Sequence, residues 1–227
     1  MILTLQKSAL LPDPIHAVIF DMDGTLLDTE AAHKRAFAQT GDALGWPLPE
    51  ALLLSMVGIH RDANQLMLAD HLGPDFPLDR FYADSDALFE GAMAAGASLR
   101  PGTMLILDHL AQAGVPMAIA TSTAAPLAQL RLEKAGLLPY FDVVVTRNDV
   151  ERPKPHPEPY LLAARLLGVD PSRCIAVEDS HAGVRSATAA GIATVMVPDL
   201  LPPTDEQARA CAHILPSLAH LHAILTA

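Results

Sequence analysis

From Pro101 onward the chain alternates between two textures. Short apolar runs, many of them β-branched (Val115–Ala120, Phe141–Val145, Cys174–Val177 and Ala193–Val197), are separated by longer stretches with apolar residues at helical spacing. That alternation predicts a parallel sheet with crossover helices. One further run of the same kind, His16–Phe20, stands apart near the start. Between it and Pro101 there is helical periodicity and no convincing strand. The candidate helices are Glu30–Leu44, Pro49–Met56, Asp62–Leu72 and Leu78–Ala95, broken at Gly45-Trp46-Pro47, Gly58, Gly73-Pro74 and Pro77. Ser180 is placed to cap a helix start, and Gly136, Gly168 and Gly191 follow apolar-periodic runs as helix-ending glycines do. The tail from Thr204 to Ala227 reads as two short helices flanking His213-Ile214-Leu215. The predicted architecture is α/β: a Rossmann-like three-layer core with a parallel sheet, and a four-helix cap inserted after the first strand. The core takes residues 1–28 and 99–227, the cap 29–98, with linkers near Asp28-Thr29 and Leu99–Gly102.

Chemistry-bearing residues gather where the strands end. Asp21-Met22-Asp23-Gly24-Thr25 closes the first strand, Thr121-Ser122-Thr123 the second, and Glu178-Asp179-Ser180 the strand that begins at Cys174. Lys154 lies in the proline-rich loop 152–157 after the strand Phe141–Val145. In an open parallel sheet those carboxyl ends share one crevice, where such sheets hold their ligands. A carboxylate there can be a nucleophile or a metal ligand, and a second one can act as general acid and base. Gly24 permits a sharp turn and close approach of a ligand to the backbone. Ser122 and Thr123 read as turn or cap residues rather than catalysts.

These pieces, Asp21–Thr25, Thr121, Lys154 and Glu178-Asp179, resemble the four ordered motifs of the haloacid dehalogenase superfamily. Leu26–Glu30, Pro101-Gly102 and Glu178–Gly183 resemble its phosphatase and phosphomutase branch with a helical cap. The resemblance runs from about Ile15 to about Pro198. It implies that Asp21 attacks phosphorus to form an aspartyl-phosphate and that Asp23 serves as acid and then base. It also implies that Thr121 and Lys154 bind the phosphoryl group, and that Thr25 supports Asp23. The implied cofactor is Mg²⁺, held by Asp21, the Asp23 main-chain carbonyl and Asp179, with Glu178 either a ligand or a support to the ligands. Mg²⁺ favours such hard oxygen donors.

Within the cap, His33, His60 and Arg61 are the candidates for contact with substrate. Gly58 would let the segment around it approach a ligand, and a guanidinium at 61 suits a distal anion. The leading reading is a phosphomonoester hydrolase for a small phosphorylated metabolite. The runner-up is a β-phosphoglucomutase-like isomerase. Against the runner-up, Val57 stands where that family has a cap lysine, and Ala124-Ala125 replace a polar Lys-Asn pair. A catalytically silent binding module on the same fold would be expected to have lost a motif residue, and none is lost.

Composition narrows the partners. The 227 residues are 51% hydrophobic and 18% charged, which suits a globular chain with a sizeable core. A formal net charge of -11 argues against nucleic acid and anionic membranes as partners. A bound cation and one lysine can still reverse the field locally for an anionic substrate. Two cysteines without CxxC spacing, no basic leader and no apolar run near the roughly 20 residues of a membrane span point to the cytoplasm. A monomer or weak dimer is expected.

Overall fold

In the computed structural model, which describes residues 11–56 and 61–227, six parallel strands form one sheet in the order β3-β2-β1-β4-β5-β6. They are β1 Ala17–Phe20, β2 Met117–Ala120, β3 Val143–Val145, β4 Cys174–Glu178, β5 Ala193–Met196 and β6 His213–Ile214. β1 lies at the centre, paired with β2 on one side and β4 on the other. The chain builds outward from β1 through β2 to β3, then returns to β4 and builds the other way. That reversal opens a crevice beyond the carboxyl end of β1.

The sheet is buried on both faces, which is why its strands read as unbroken apolar runs rather than alternating ones. Successive side chains still point to opposite faces. Val18, Phe20, Ile119, Ile175 and Val177 pack on one side with Leu107 and Leu110 of α5 (Thr103–Gln112), Leu132 of α6 (Leu127–Lys134) and Leu221 of α10 (Leu218–Leu225). Ala17, Ile19, Ala118, Ala120 and Ala176 face the other way, onto Tyr160 and Ala163 of α7 (Glu158–Leu167) and Ala187 of α8 (His181–Ala189). Small residues dominate this second face, which lets α7 and α8 sit close to the sheet. The tail adds α9 (Asp205–Ala210) before β6. The alternation that predicts three layers is thus realised, including the short edge strand flanked by two helices.

Between β1 and α5 four helices are described: α1 Thr29–Ala43, α2 Glu50–Ser55, α3 Arg61–Leu72 and α4 Leu78–Ala94. They agree with the periodicity to within a residue or two at their described ends. They bury a core of their own, in which Leu52, Leu53, Leu68, Phe76 and Phe81 are the main members. The chain leaves and re-enters the sheet region at one place. Leu27 bridges Leu99, and the Asp28 N–H donates to the Ser98 carbonyl at 2.8 Å. Arg100, just past that junction, donates to Asp199 at 2.6 Å and to the Pro198 carbonyl, fastening the return strand to the loop after β5.

Candidate active site

The loop after β1 is built by its glycine and its hydrogen bonds. The Asp21 N–H donates to the Val177 carbonyl at 2.9 Å, carrying the β1–β4 ladder one residue beyond the strand. Gly24 then turns at φ +84°, and its N–H donates to the Leu27 carbonyl. A Cβ at Gly24 would overlap the Asp179 carboxylate, so the close approach of the two acid loops requires glycine there. Both Asp21 and Asp23 line a cavity of about 340 Å³, together with Thr121, Lys154 and Asp179. The four sequence motifs therefore do meet in one crevice.

Lys154 is the centre of charge. Its side chain is only 5% exposed, and Nζ donates to Asp21 Oδ1 at 2.6 Å and to Glu178 Oε1 at 2.5 Å. Burial works against its charge, but the two carboxylates outweigh burial and hold its pKa above the ordinary lysine value. Asp21, Glu178 and Asp179 present ligand atoms within 4.8 Å of one another. One ammonium cannot neutralise three such acids. Burial raises Asp21 to about 7, Glu178 and Asp23 adding to the effect while Lys154 opposes it. Asp179 is pushed well above the usual carboxylate range by burial and then by Asp21 and Glu178. The donor set is hard oxygen on a surplus of negative charge, which fits Mg²⁺.

Glu178 differs from the other two acids. It is fully buried, and both its oxygens are occupied. Oε1 accepts from Lys154 and from the Tyr160 hydroxyl at 2.8 Å, and Oε2 accepts from the N–H and hydroxyl of Ser180. Burial and then Glu178 raise the Tyr160 pKa, so that hydroxyl remains a donor. Ser180 also caps α8, its hydroxyl accepting from the Gly183 N–H at 3.0 Å. Gly183 has no alternative, because a Cβ there would sit inside the Glu178 carboxylate.

Asp23 is held on three sides. Its Oδ2 accepts from the Thr123 hydroxyl at 2.6 Å and from Thr121 at 3.4 Å, and its Oδ1 from Arg131 Nη1 at 3.1 Å. Thr123 is thus a site residue rather than a mere turn residue. Thr25 contacts Asp179 at 3.3 Å, in place of the support to Asp23 that the resemblance implied. Arg131 and Tyr160 escape a sequence reading because each lies on an ordinary amphipathic helix. Only the crossing of α6 or α7 under the crevice makes them part of the site.

The inserted helices cover the crevice. His33 of α1 and Phe89 of α4 line the cavity, their rings stacked at 3.5 Å between centroids and 16° between planes. Burial, then Arg131, lowers the His33 pKa, keeping the ring neutral near pH 7. Glu30 stands beside it, raised to about 7 by burial, then by Asp199 and Asp23. Arg61 lines a neighbouring cavity of about 330 Å³, which shares Glu30 and His33 with the first. There it pairs with Asp86 at 2.9 Å and lies 4.2 Å from the Tyr82 ring centre. His60 and Gly58 lie outside the described residues.

A carboxylate held by a buried lysine, beside a second carboxylate and a group of acids that could hold a metal ion, suits attack on a phosphoryl group. Fold and site together define a hydrolase of the phosphatase type. The chain belongs to the haloacid dehalogenase-like hydrolase family, whose model matches residues 15–191. It is 38% identical over 185 residues to hexitol phosphatase A of Escherichia coli K12, covering 79% of this chain and 81% of that protein. It is 33% identical to the phosphorylated carbohydrates phosphatase of Thermotoga maritima, over 78% and 82% of the two chains. The crystal structure of a putative β-phosphoglucomutase from Thermotoga maritima superposes with a TM-score of 0.80 at 30% identity, covering 93% of this chain and 98% of that one.

Proposed function

We propose that this enzyme hydrolyses small phosphorylated carbohydrates with Mg²⁺, through a phosphoryl group carried on Asp21. The observation that supports it most is the geometry around Lys154: Asp21 is fixed by it at 2.6 Å and faces the same cavity as Asp23. In the first half-reaction an Asp21 oxygen bonds to phosphorus as the phosphorus–alkoxide bond breaks, and Asp23 gives its proton to the leaving alcohol. In the second, water attacks the same phosphorus, Asp23 takes the water's proton, and Asp21 leaves as a carboxylate with release of inorganic phosphate. Thr121 donates to a phosphoryl oxygen, and Lys154 offsets the charge shared by Asp21 and the phosphoryl group. Asp21, the Asp23 carbonyl and Asp179 would hold the Mg²⁺. That ion would supply positive charge against the phosphoryl oxygens. Glu178, with all its acceptor positions filled, serves to hold Lys154 and the start of α8 rather than to bind the ion.

Residues 29–98 act as a cap over a core of residues 1–28 and 99–227, the paired linkers at Leu27–Asp28 and Ser98–Leu99 being the junction. Its ligand is a small phosphorylated metabolite, and with both cysteines free and buried the cytoplasm suits it. Among the described residues no helix is long and apolar enough to cross a membrane. The experiment is phosphate release from a panel of sugar and alditol phosphates, with Mg²⁺ and with EDTA, for the wild type and Asp21→Asn. Release that needs Mg²⁺ and vanishes in Asp21→Asn is expected; release by the variant would sink the nucleophile assignment.

A second reading, phosphomutase, draws on the adjoining cavity with Arg61, which would be a second phosphate station. Arg61 is engaged by Asp86 there, and Ala124-Ala125 bring no polar side chain. Conversion of β-glucose 1-phosphate to glucose 6-phosphate with little free phosphate would establish that reading instead.

A further inference from the structure

Among the described residues Lys154 and Arg131 are the cations that line the cavity over Asp21, and the phosphoryl chemistry uses one of them. Lys154 is committed to Asp21 and Glu178. The other, Arg131, comes from α6 with a side chain 9% exposed. A guanidinium carries five N–H donors. Here Nη1 donates to Asp23 and Nη2 reaches Glu90 of α4 only at 3.5 Å. Nε is buried and has no partner among the described residues. An unpartnered buried donor is costly enough that native sites rarely keep one without a reason.

The guanidinium lines the cavity, its Nη2 with only that long contact, and the surroundings say what would satisfy it. Beyond the phosphoryl end, the cavity wall is made by Glu30, His33, Phe89 and Arg131. Arg131 lies 5.1 Å from the centre of the Phe89 ring. This wall sets the His33–Phe89 ring stack, guanidinium donors and carboxylate acceptors side by side. Such a mixture suits a polyhydroxylated chain: its C–H groups pack on the ring, while its hydroxyls accept from guanidinium and donate to carboxylate. A second anionic group would meet Glu30 and Asp23 at once, and is disfavoured.

We propose that Arg131 is a specificity-determining residue, donating to the hydroxyl vicinal to the ester oxygen of a polyol or sugar phosphate. The inference rests on the phosphatase reading above. Its geometry follows from Asp23. The leaving oxygen must sit at the Asp23 carboxylate to receive a proton, and Arg131 already sits on the other oxygen of that carboxylate. A hydroxyl one carbon away from the leaving oxygen therefore falls beside the guanidinium. Arg131 is borne by the core and touches Glu90 of the cap, so the same contact is completed only with the cap in place.

The test compares sorbitol 6-phosphate, its 5-deoxy analogue and phenyl phosphate, all with Mg²⁺, for the wild type, Arg131→Lys and Arg131→Met. Wild-type kcat/KM should fall about 10- to 100-fold on removal of the 5-hydroxyl, the usual size of a lost hydrogen bond to a charged group. Arg131→Met should lose that same factor on sorbitol 6-phosphate, beyond any loss it shows on phenyl phosphate, and should no longer distinguish the deoxy analogue. Arg131→Lys should fall between the two. The wild-type comparison needs no variant to fold. Equal turnover of the two sorbitol phosphates by the wild type would overturn the proposal. So would a loss in the variants that is the same for all three substrates, which would mean that Arg131 acts only by placing Asp23. If the wild type turned over none of them, phenyl phosphate included, the hydrolase reading itself would fall and this inference with it.

Discussion

Lys154 offers the sharpest test of the electrostatic account, because one substitution removes the cation that, among the described residues, both Asp21 and Glu178 hold. In Lys154→Met the volume is nearly kept, but two buried carboxylates lose their counter-charge. Breaking a buried ion pair from one side typically costs about 3–5 kcal/mol. For a chain of this size each kcal/mol shifts Tm by roughly 2–4 °C, so a fall of about 6–20 °C is expected near pH 8 in EDTA. The sign of the pH dependence follows from Asp21, raised from 3.8 to about 7 in the folded protein. A carboxyl with an elevated folded pKa binds its proton more tightly when folded, so stability drops as pH rises between about 4 and 7. That interval of about three units corresponds to roughly 4 kcal/mol at most for this one group. Glu30 and Asp179 shift in the same direction. Metal-free protein should therefore melt higher at pH 5.5 than at pH 8. The Lys154→Met deficit should shrink at pH 5.5, where protonation replaces the lost ammonium. Lys154 itself, with its pKa raised, stays charged throughout this window. Calorimetry in EDTA at the two pH values, repeated with Mg²⁺, would measure it. A variant as stable as the wild type at pH 8, or a deficit that grows towards acid, would refute the reasoning.

Asp179→Ala should raise the Mg²⁺ concentration needed for half-maximal phosphate release by at least tenfold, and Ca²⁺ should inhibit, since its looser coordination misplaces the nucleophile; an unchanged Mg²⁺ titration would remove Asp179 from the ion's ligands. Gly183→Ala should cost about 2–4 kcal/mol and most of the activity, because its methyl would displace the Glu178 carboxylate and with it Lys154. A melting curve and activity within experimental scatter of the wild type would show that Glu178 is not held in place there.

Much of this site is legible in the chain because its parts are tied to strand ends. Asp21, Thr121 and Glu178-Asp179 follow apolar runs directly, and a parallel sheet has to bring those ends to one edge. Lys154 is legible from the loop that follows another such run. The helical insertion is legible too, since periodicity and glycine–proline breaks are local properties. The residues that act from helices are another matter. Arg131, Tyr160 and Phe89 each occupy a position that could equally face solvent or core, and only the packing of α6, α7 and α4 around the crevice decides which. Thr25 and Thr123 show the same limit at closer range. Both are hydroxyls two residues from a motif residue, Asp23 or Thr121, and which acid each one meets depends on the relative approach of the loops after β1, β2 and β4. The role of Glu178 was open in the chain and is narrowed by packing, since four donors converge on it from three separate segments. Strand ends and periodicity are written in short stretches of sequence. Which side chains share a proton, a charge or a wall of the cavity depends on distances between segments far apart in the chain, and those exist only once the sheet and the cap have closed around them.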